Sequence, residues 1–238
     1  TKLSAEYTNM VYELQQGGGL TDAQFNDNPR QSLRDRNWFG VPWNVFSLNF
    51  DTKISERLTS NTKFFGLVGE RNSVGFTATP NIPDEINPAT NQFANRRVDR
   101  DFYENFGLEN RNLLKYKLGN IENNLTFGVR LYRANTTRNQ QGRGTTASDF
   151  DLSVEDIFPR SLDFFTNNVA AFAENQFKIT EKFSIIPGVR YEYIENIGSG
   201  RFGLQSGNEI PFDDKNISKI FSPKRLRPNH QVNKILTK

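Results

Sequence analysis

The chain has no cysteine, one histidine (His230) and one methionine in 238 residues. Without cysteine there is no disulfide framework, no thiol nucleophile and no cysteine-held metal. With a lone histidine in the last few residues, neither a Ser-His-Asp triad nor a multi-histidine metal site can be assembled. Carboxylates are numerous, but none forms an isolated pair in an apolar setting, so the reading is of a protein that is not an enzyme and needs no cofactor. Long hydrophobic runs are also missing: nothing approaches the roughly 18 apolar residues of a membrane helix. Charge of one sign is missing too. Thirty Lys and Arg against 27 Asp and Glu give +3, with the basic residues dispersed among acidic ones, which argues against nucleic acid as a partner.

What is present is period two. Segments 2–13, 43–55, 58–70, 101–118, 124–135, 169–179 and 183–197 tend to alternate apolar and polar side chains. In the second, Phe46, Leu48, Phe50 and Ile54 oppose Ser47, Asn49, Asp51 and Lys53. In the fifth, Leu125, Phe127, Val129 and Leu131 oppose Thr126, Gly128, Arg130 and Tyr132. That phase fits a strand, since a helix would scatter these residues round its circumference. The fourth loses phase near Arg111 to Leu114, where a bulge is expected. Short polar turns fall at residues 55–57, 119–122 and 180–182, and long polar loops at 14–42, 71–100 and 139–166.

Alternation alone also fits a soluble sandwich. Strand length and loop asymmetry favour a membrane barrel: every segment reaches the about 9–11 residues that a tilted membrane strand needs. Tight turns on one side and long loops on the other are the barrel pattern. Aromatics gather at loop-proximal strand ends (Trp38, Phe39, Trp43, Phe102, Tyr103, Phe164, Phe165), as an interfacial girdle requires. Phe46, Leu48, Phe50, Leu125, Phe127, Val129 and Leu131 are expected to face lipid. The fold expected is all-β, an antiparallel meander of about seven strands. Seven strands cannot close a membrane sheet, which would leave unpaired backbone groups in lipid, so they read as part of a larger transmembrane barrel. Since residue 1 already lies in a strand pattern, a further N-terminal part is expected. Residues 1–218 carry this barrel pattern. Residues 219–238, with six Lys or Arg and no acidic residue, read as an anomalous basic tail: a natural basic extension or, the favoured reading, a loss of the reading frame or assembly near Ile217 to Phe221.

Two segments carry a family resemblance. The run QQGGGLTDAQF from Gln15 to Phe25, followed by Asn28-Pro29-Arg30-Gln31-Ser32, resembles an extracellular loop of TonB-dependent receptors of the ferric-dicitrate type. AENQFKITEKFSIIPGVRYE, from Ala173 to Glu192, resembles a strand-turn-strand hairpin of the same superfamily. The resemblance implies a 22-stranded barrel in the outer membrane, an N-terminal plug and a short box contacting TonB. It also implies import of a ferric chelate such as ferric citrate, with outer-membrane lipid around the barrel and no iron ligation by the protein itself. Because guanidinium groups fork onto carboxylates, the side chains expected to meet such a ligand are Arg97, Arg100, Arg34, Arg36, Gln31 and Arg133. A passive or structural barrel, a porin or adhesin without a plug, is the alternative. Gly17-Gly18-Gly19 lacks the Lys-Ser/Thr and the strand-to-helix context of a phosphate loop and reads as a flexible surface loop.

Overall fold

The computed structural model describes residues 1–180, 182–212, 215–221 and 224–230, the last two by backbone pairing with only the Ile217 side chain. Glu181 of the third turn and the end of the basic tail, residues 231–238, lie outside the described residues. Seven long strands follow one another: β1 (Lys2–Gln15), β2 (Trp38–Lys53), β3 (Leu58–Gly75), β4 (Arg97–Leu118), β5 (Ile121–Arg143), β6 (Arg160–Lys178) and β7 (Phe183–Gln205). Each pairs antiparallel with the next, giving an open meander. Three short strands, β8 (Asn208–Pro211), β9 (Lys215–Phe221) and β10 (Lys224–His230), lie in succession along the remaining edge of β7 as one interrupted eighth strand. The boundary expected at 218/219 therefore falls inside β9.

The three turns close by different chemistry. In the β2–β3 turn the Ser55 hydroxyl accepts the N–H groups of Arg57 and Leu58 at 3.2 and 3.1 Å. In the β6–β7 turn the Thr180 hydroxyl does the same for Lys182 and Phe183 at 3.2 and 3.0 Å. Serine and threonine favour such turns by substituting a side-chain acceptor for a backbone one. Between β4 and β5 only Gly119 and Asn120 remain, with Gly119 at φ +60° in the first central position, where a tight hairpin of the II′ kind requires glycine.

The sheet is a single layer. Among the described residues the buried apolar side chains are Val41, Val74, Val98, Leu162 and Ala170. Leu48, Phe50, Phe127, Val129 and Leu131 stand exposed, while Phe46 and Leu125 are half-buried by neighbours on the same face. A soluble sandwich would cover that face with a second sheet; a wall in a bilayer leaves it bare for lipid. Toward the loops the apolar run on this face is interrupted on each strand by a polar residue, within about one row of the next strand's: Asn9, Asn44, Glu70, Glu104, Arg133, Asn167 and Glu195. The opposite face carries Ser47, Asn49, Lys63, Glu109, Arg130, Arg190 and Glu192.

Two expectations are corrected. The strands β2 to β7 run beyond the expected loop-side ends, so the loops shrink to residues 16–37, 76–96 and 144–159. Above the apolar line both faces are wet and alternation ceases, while the backbone ladder continues. The expected bulge near Arg111 is also absent, since β4 keeps register with both neighbours there. Phase is lost because Asn110 and Asn112 sit on the apolar face. Asn110 donates to the Ser60 and Thr62 hydroxyls at 3.1 and 2.9 Å, and Asn112 donates to Asn110 at 2.6 Å. The register shift occurs instead between Val98 and Arg100 against β5, with Gln141 at φ 64°.

Candidate functional site at the loop-side strand ends

The loops are tied together by three enclosed guanidinium groups. Loop 16–37 contains a short helix, α1 (Asp22–Asp27), capped reciprocally by Thr21 and Gln24. The Gln31 amide donates to the Gln24 carbonyl at 2.6 Å, so Gln31 serves the loop's own shape. Arg34, 2% exposed, donates to the carbonyls of Thr79 and Ile82 in the second loop at 3.1 and 2.9 Å. Gly18, at φ +68°, lies beside it, and a Cβ there would meet Arg34 Cγ at 2.6 Å. The glycine run lets the chain pass over this arginine.

Arg36, 4% exposed, forks onto Asp84 in the second loop and donates to the Thr146 and Ala147 carbonyls of the third at 3.1 Å each. Its guanidinium also lies 4.1 Å from the Phe93 ring centre. Arg96, 1% exposed, donates to the carbonyls of Arg36 and Asp149 at 3.1 and 2.7 Å, while its Nε and second terminal nitrogen make no hydrogen bond among the described residues, the latter lying 4.0 Å from the Asp149 carboxylate. Burial first, and the neighbouring Arg36 second, hold the Arg96 guanidinium below its ordinary pKa. Arg34 and Arg36 thus have a different occupation from the one expected: their donors go to the neighbouring loops.

A second cluster stands on the polar face, where β3, β4 and β5 leave the apolar band. Arg71, Asp101 and Arg138 are direct cross-strand neighbours. Asp101, 1% exposed, accepts from Arg71 and Arg138 at 3.3 Å each and from the Gln140 amide at 3.2 Å. Two residues along the same face, Arg97 pairs with Asp99 at 2.9 Å, and Asp99 also accepts the Gln141 N–H at 2.7 Å, which holds the bulge. Three guanidinium groups face two carboxylates, an excess of one positive charge. The side chains of Arg71, Arg97 and Arg138 remain 50%, 36% and 38% exposed, so their outer donors stay open to an anion. Such a cluster can grip a polycarboxylate by forked, charge-assisted hydrogen bonds.

The expected side chains therefore divide. Arg97 belongs to the polar-face cluster. Arg100 and Arg133 lie on the other face: Arg100 bonds Glu70 and Asn72 at 3.1 and 3.2 Å, and Arg133 stacks 4.6 Å from the Phe165 ring centre. Neither Arg71, which the sequence pattern places in a loop rather than at a strand end, nor Arg138 is among the expected side chains. The signal that finds them is register, since both fall opposite Asp101.

A family profile described as "TonB dependent receptor-like, beta-barrel" matches residues 2–224. Solved structures with the same fold include the ferric citrate transporter FecA in the unliganded form (18% identity, TM-score 0.69, covering 92% of this chain and 30% of that one). The ferric-catecholate import receptor Fiu from E. coli K12, open form, matches at 13% identity and TM-score 0.63, covering 92% of this chain and 40% of that one. The siderophore receptor PiuA from Acinetobacter baumannii matches at 10% identity and TM-score 0.63, covering 94% of this chain and 36% of that one. The chain spans roughly a third of the length of these proteins. No curated protein matches it in sequence.

Proposed function

Because this chain belongs to the TonB-dependent receptor β-barrel family, whose members are outer-membrane barrels, we propose that it forms a sector of the wall of a receptor that captures and imports a ferric chelate, with ferric citrate the preferred ligand. The observation that carries this reading is the half-open cluster of Arg71, Arg97 and Arg138 on the polar face, with its net positive charge beside the loops. Citrate around iron presents carboxylates outward, and forked guanidinium groups complement them. The chelator fills the metal's coordination shell, so the protein contributes charge and shape rather than iron ligands. Lipid surrounds the apolar face, and energy comes from TonB through an N-terminal region of the longer receptor. A porin or adhesin, the other reading of the pattern, draws no support from the family match.

The test is affinity of the intact receptor for ferric citrate and, in parallel, for a catecholate chelate. Each charge-assisted hydrogen bond contributes about 1.5–3 kcal/mol, so Arg71→Gln with Arg138→Gln weakens ferric citrate binding at least about tenfold. A catecholate bound tightly by the unaltered receptor while ferric citrate is ignored would replace the ligand and leave the receptor reading standing.

A further inference from the structure

Arg133 stands at the edge of the apolar face without a carboxylate within ion-pairing distance among the described residues. On β5 its face reads Leu125, Phe127, Val129, Leu131, then Arg133, Asn135, Thr137, Asn139, so the arginine occupies the first position beyond the hydrocarbon-like run. Twelve residues separate it from Ile121 at the turn. At about 3.3 Å per residue and about 40° of tilt this is roughly 30 Å, a little more than the apolar band of about 25 Å. That height is the headgroup layer of the leaflet on the loop side.

The Phe165 ring lies 4.6 Å from its guanidinium carbon, which fixes the plane of the group and leaves its N–H edge free. Beside it Phe106, and below it Leu131, Val169 and Tyr193, line a shallow groove on the lipid-facing surface, which Asn167 and Glu195 also line. Two carboxylates flank the site. Glu195 lies two strands away in the same row, about 10 Å, and accepts from the Asn167 amide at 3.3 Å. Glu104 is paired with Asn135, one row farther from the bilayer.

We propose that Arg133 binds the phosphate of a phosphorylated outer-leaflet lipid whose acyl chain lies in the groove beneath it. The site rests on the outer-membrane reading above and is separate from chelate capture, which belongs to the opposite face. Only an unpaired cation at this height, over an apolar groove, complements both halves of such a lipid.

The experiment is native mass spectrometry of the intact receptor exchanged from detergent into nanodiscs of zwitterionic lipid, with added bis-phosphorylated lipid A, its dephosphorylated form, or inorganic phosphate. The unaltered receptor retains phosphorylated lipid A over the dephosphorylated form, and Arg133→Gln lowers that retention at least about threefold, as expected for one cation at an anionic lipid surface. Arg143→Gln, an exposed arginine at the loop-side end of β5 that is paired with Glu155, leaves retention unchanged. Equal retention by Arg133→Gln and the unaltered receptor, or equal retention of the two lipids, overturns the proposal. So does loss of the effect on adding inorganic phosphate at equal concentration, which would mark a soluble-anion site. Failure of the receptor to enter nanodiscs at all would instead sink the membrane reading itself.

Discussion

Arg36 and Arg138 stand in neighbouring parts of the same molecule and spend their charge differently. Arg36 is 4% exposed and bonds a carboxylate from one loop and carbonyls from two. Arg138 keeps 38% of its side chain open and shares an enclosed carboxylate with Arg71. In the loops the guanidinium groups replace the apolar core that these polar segments lack, because a fork of five donors can satisfy carbonyls from several chain segments at once. At the strand ends the carboxylate is the buried partner and the arginines are the open ones. On the proposed reading, exposure of the guanidinium edge, more than its place beside the loops, separates a ligand-facing arginine from a structural one.

The contrast can be broken most forcefully at Arg36. Arg36→Ala leaves Asp84, whose side chain is 4% exposed, as an enclosed carboxylate without its cation. Breaking such a pair costs about 3–5 kcal/mol. The loops should then become sensitive to limited proteolysis between residues 76 and 96, while the strands and the Leu48 environment stay intact. Protease resistance equal to that of the unaltered receptor would mean that Arg36 does not hold the loops together.

A smaller and opposite signature is expected at the mouth. Asp101→Asn removes the carboxylate between Arg71 and Arg138 and lowers thermal stability, by about 1–3 kcal/mol for the lost charged hydrogen bonds. It leaves the arginines with more positive charge, so affinity for an anionic chelate is retained or increased. A loss of affinity with unchanged stability would reverse the roles assigned here. Arg100→Gln, on the other face and already bonded to Glu70 and Asn72, should change chelate affinity by less than about twofold, within the range of a surface ion pair.

The smallest effect concerns acid. Hydrogen bonds from Ser153, and then from Thr145, hold the Asp151 carboxyl below its ordinary range. A depressed carboxyl contributes stability that is present above its unfolded pKa, about 4, and fades as pH falls through the lower folded value. Hydrogen exchange of loop 144–159 should therefore speed up slightly below about pH 4 in the unaltered receptor, and less so in Asp151→Asn.

Much of the wall was legible because period two and turn chemistry are local. Leu125 to Leu131 announce their face within one segment, and Ser55, Gly119 and Thr180 mark turns within a few residues of where the chain reverses. Strand ends were not legible, because alternation stops where the apolar face ends: Arg71 lies in that extension and reads as loop, while Arg138 falls between the expected strand 124–135 and the expected loop 139–166. Asn110 and Asn112 hid the continuity of β4, since their mutual hydrogen bonds let polar residues sit on an apolar face. The loop arginines were legible as a cluster but not as a scaffold. The bond from Arg36 to the Ala147 carbonyl joins residues 111 apart in sequence, and no local pattern reports it. Proximity to a loop put Arg100 and Arg133 among the expected ligand contacts, and their parity along β4 and β5 sets them on the face of Phe106 and Leu131.

Every role assigned above depends on one face of the sheet meeting lipid and the other meeting the lumen. Residues 1–238 contain no cysteine, so a cysteine placed in them is the one site for a label in this sector of the wall. The decisive measurement places a spin label through Leu48→Cys or, separately, Asn49→Cys in the intact receptor within a bilayer, and compares collisions with a lipid-soluble and a water-soluble relaxant. The lipid-soluble agent should dominate at position 48 and the water-soluble agent at position 49. Equal responses at the two neighbouring positions would contradict the separation of faces, and with it the division of arginines between chelate, loop and lipid.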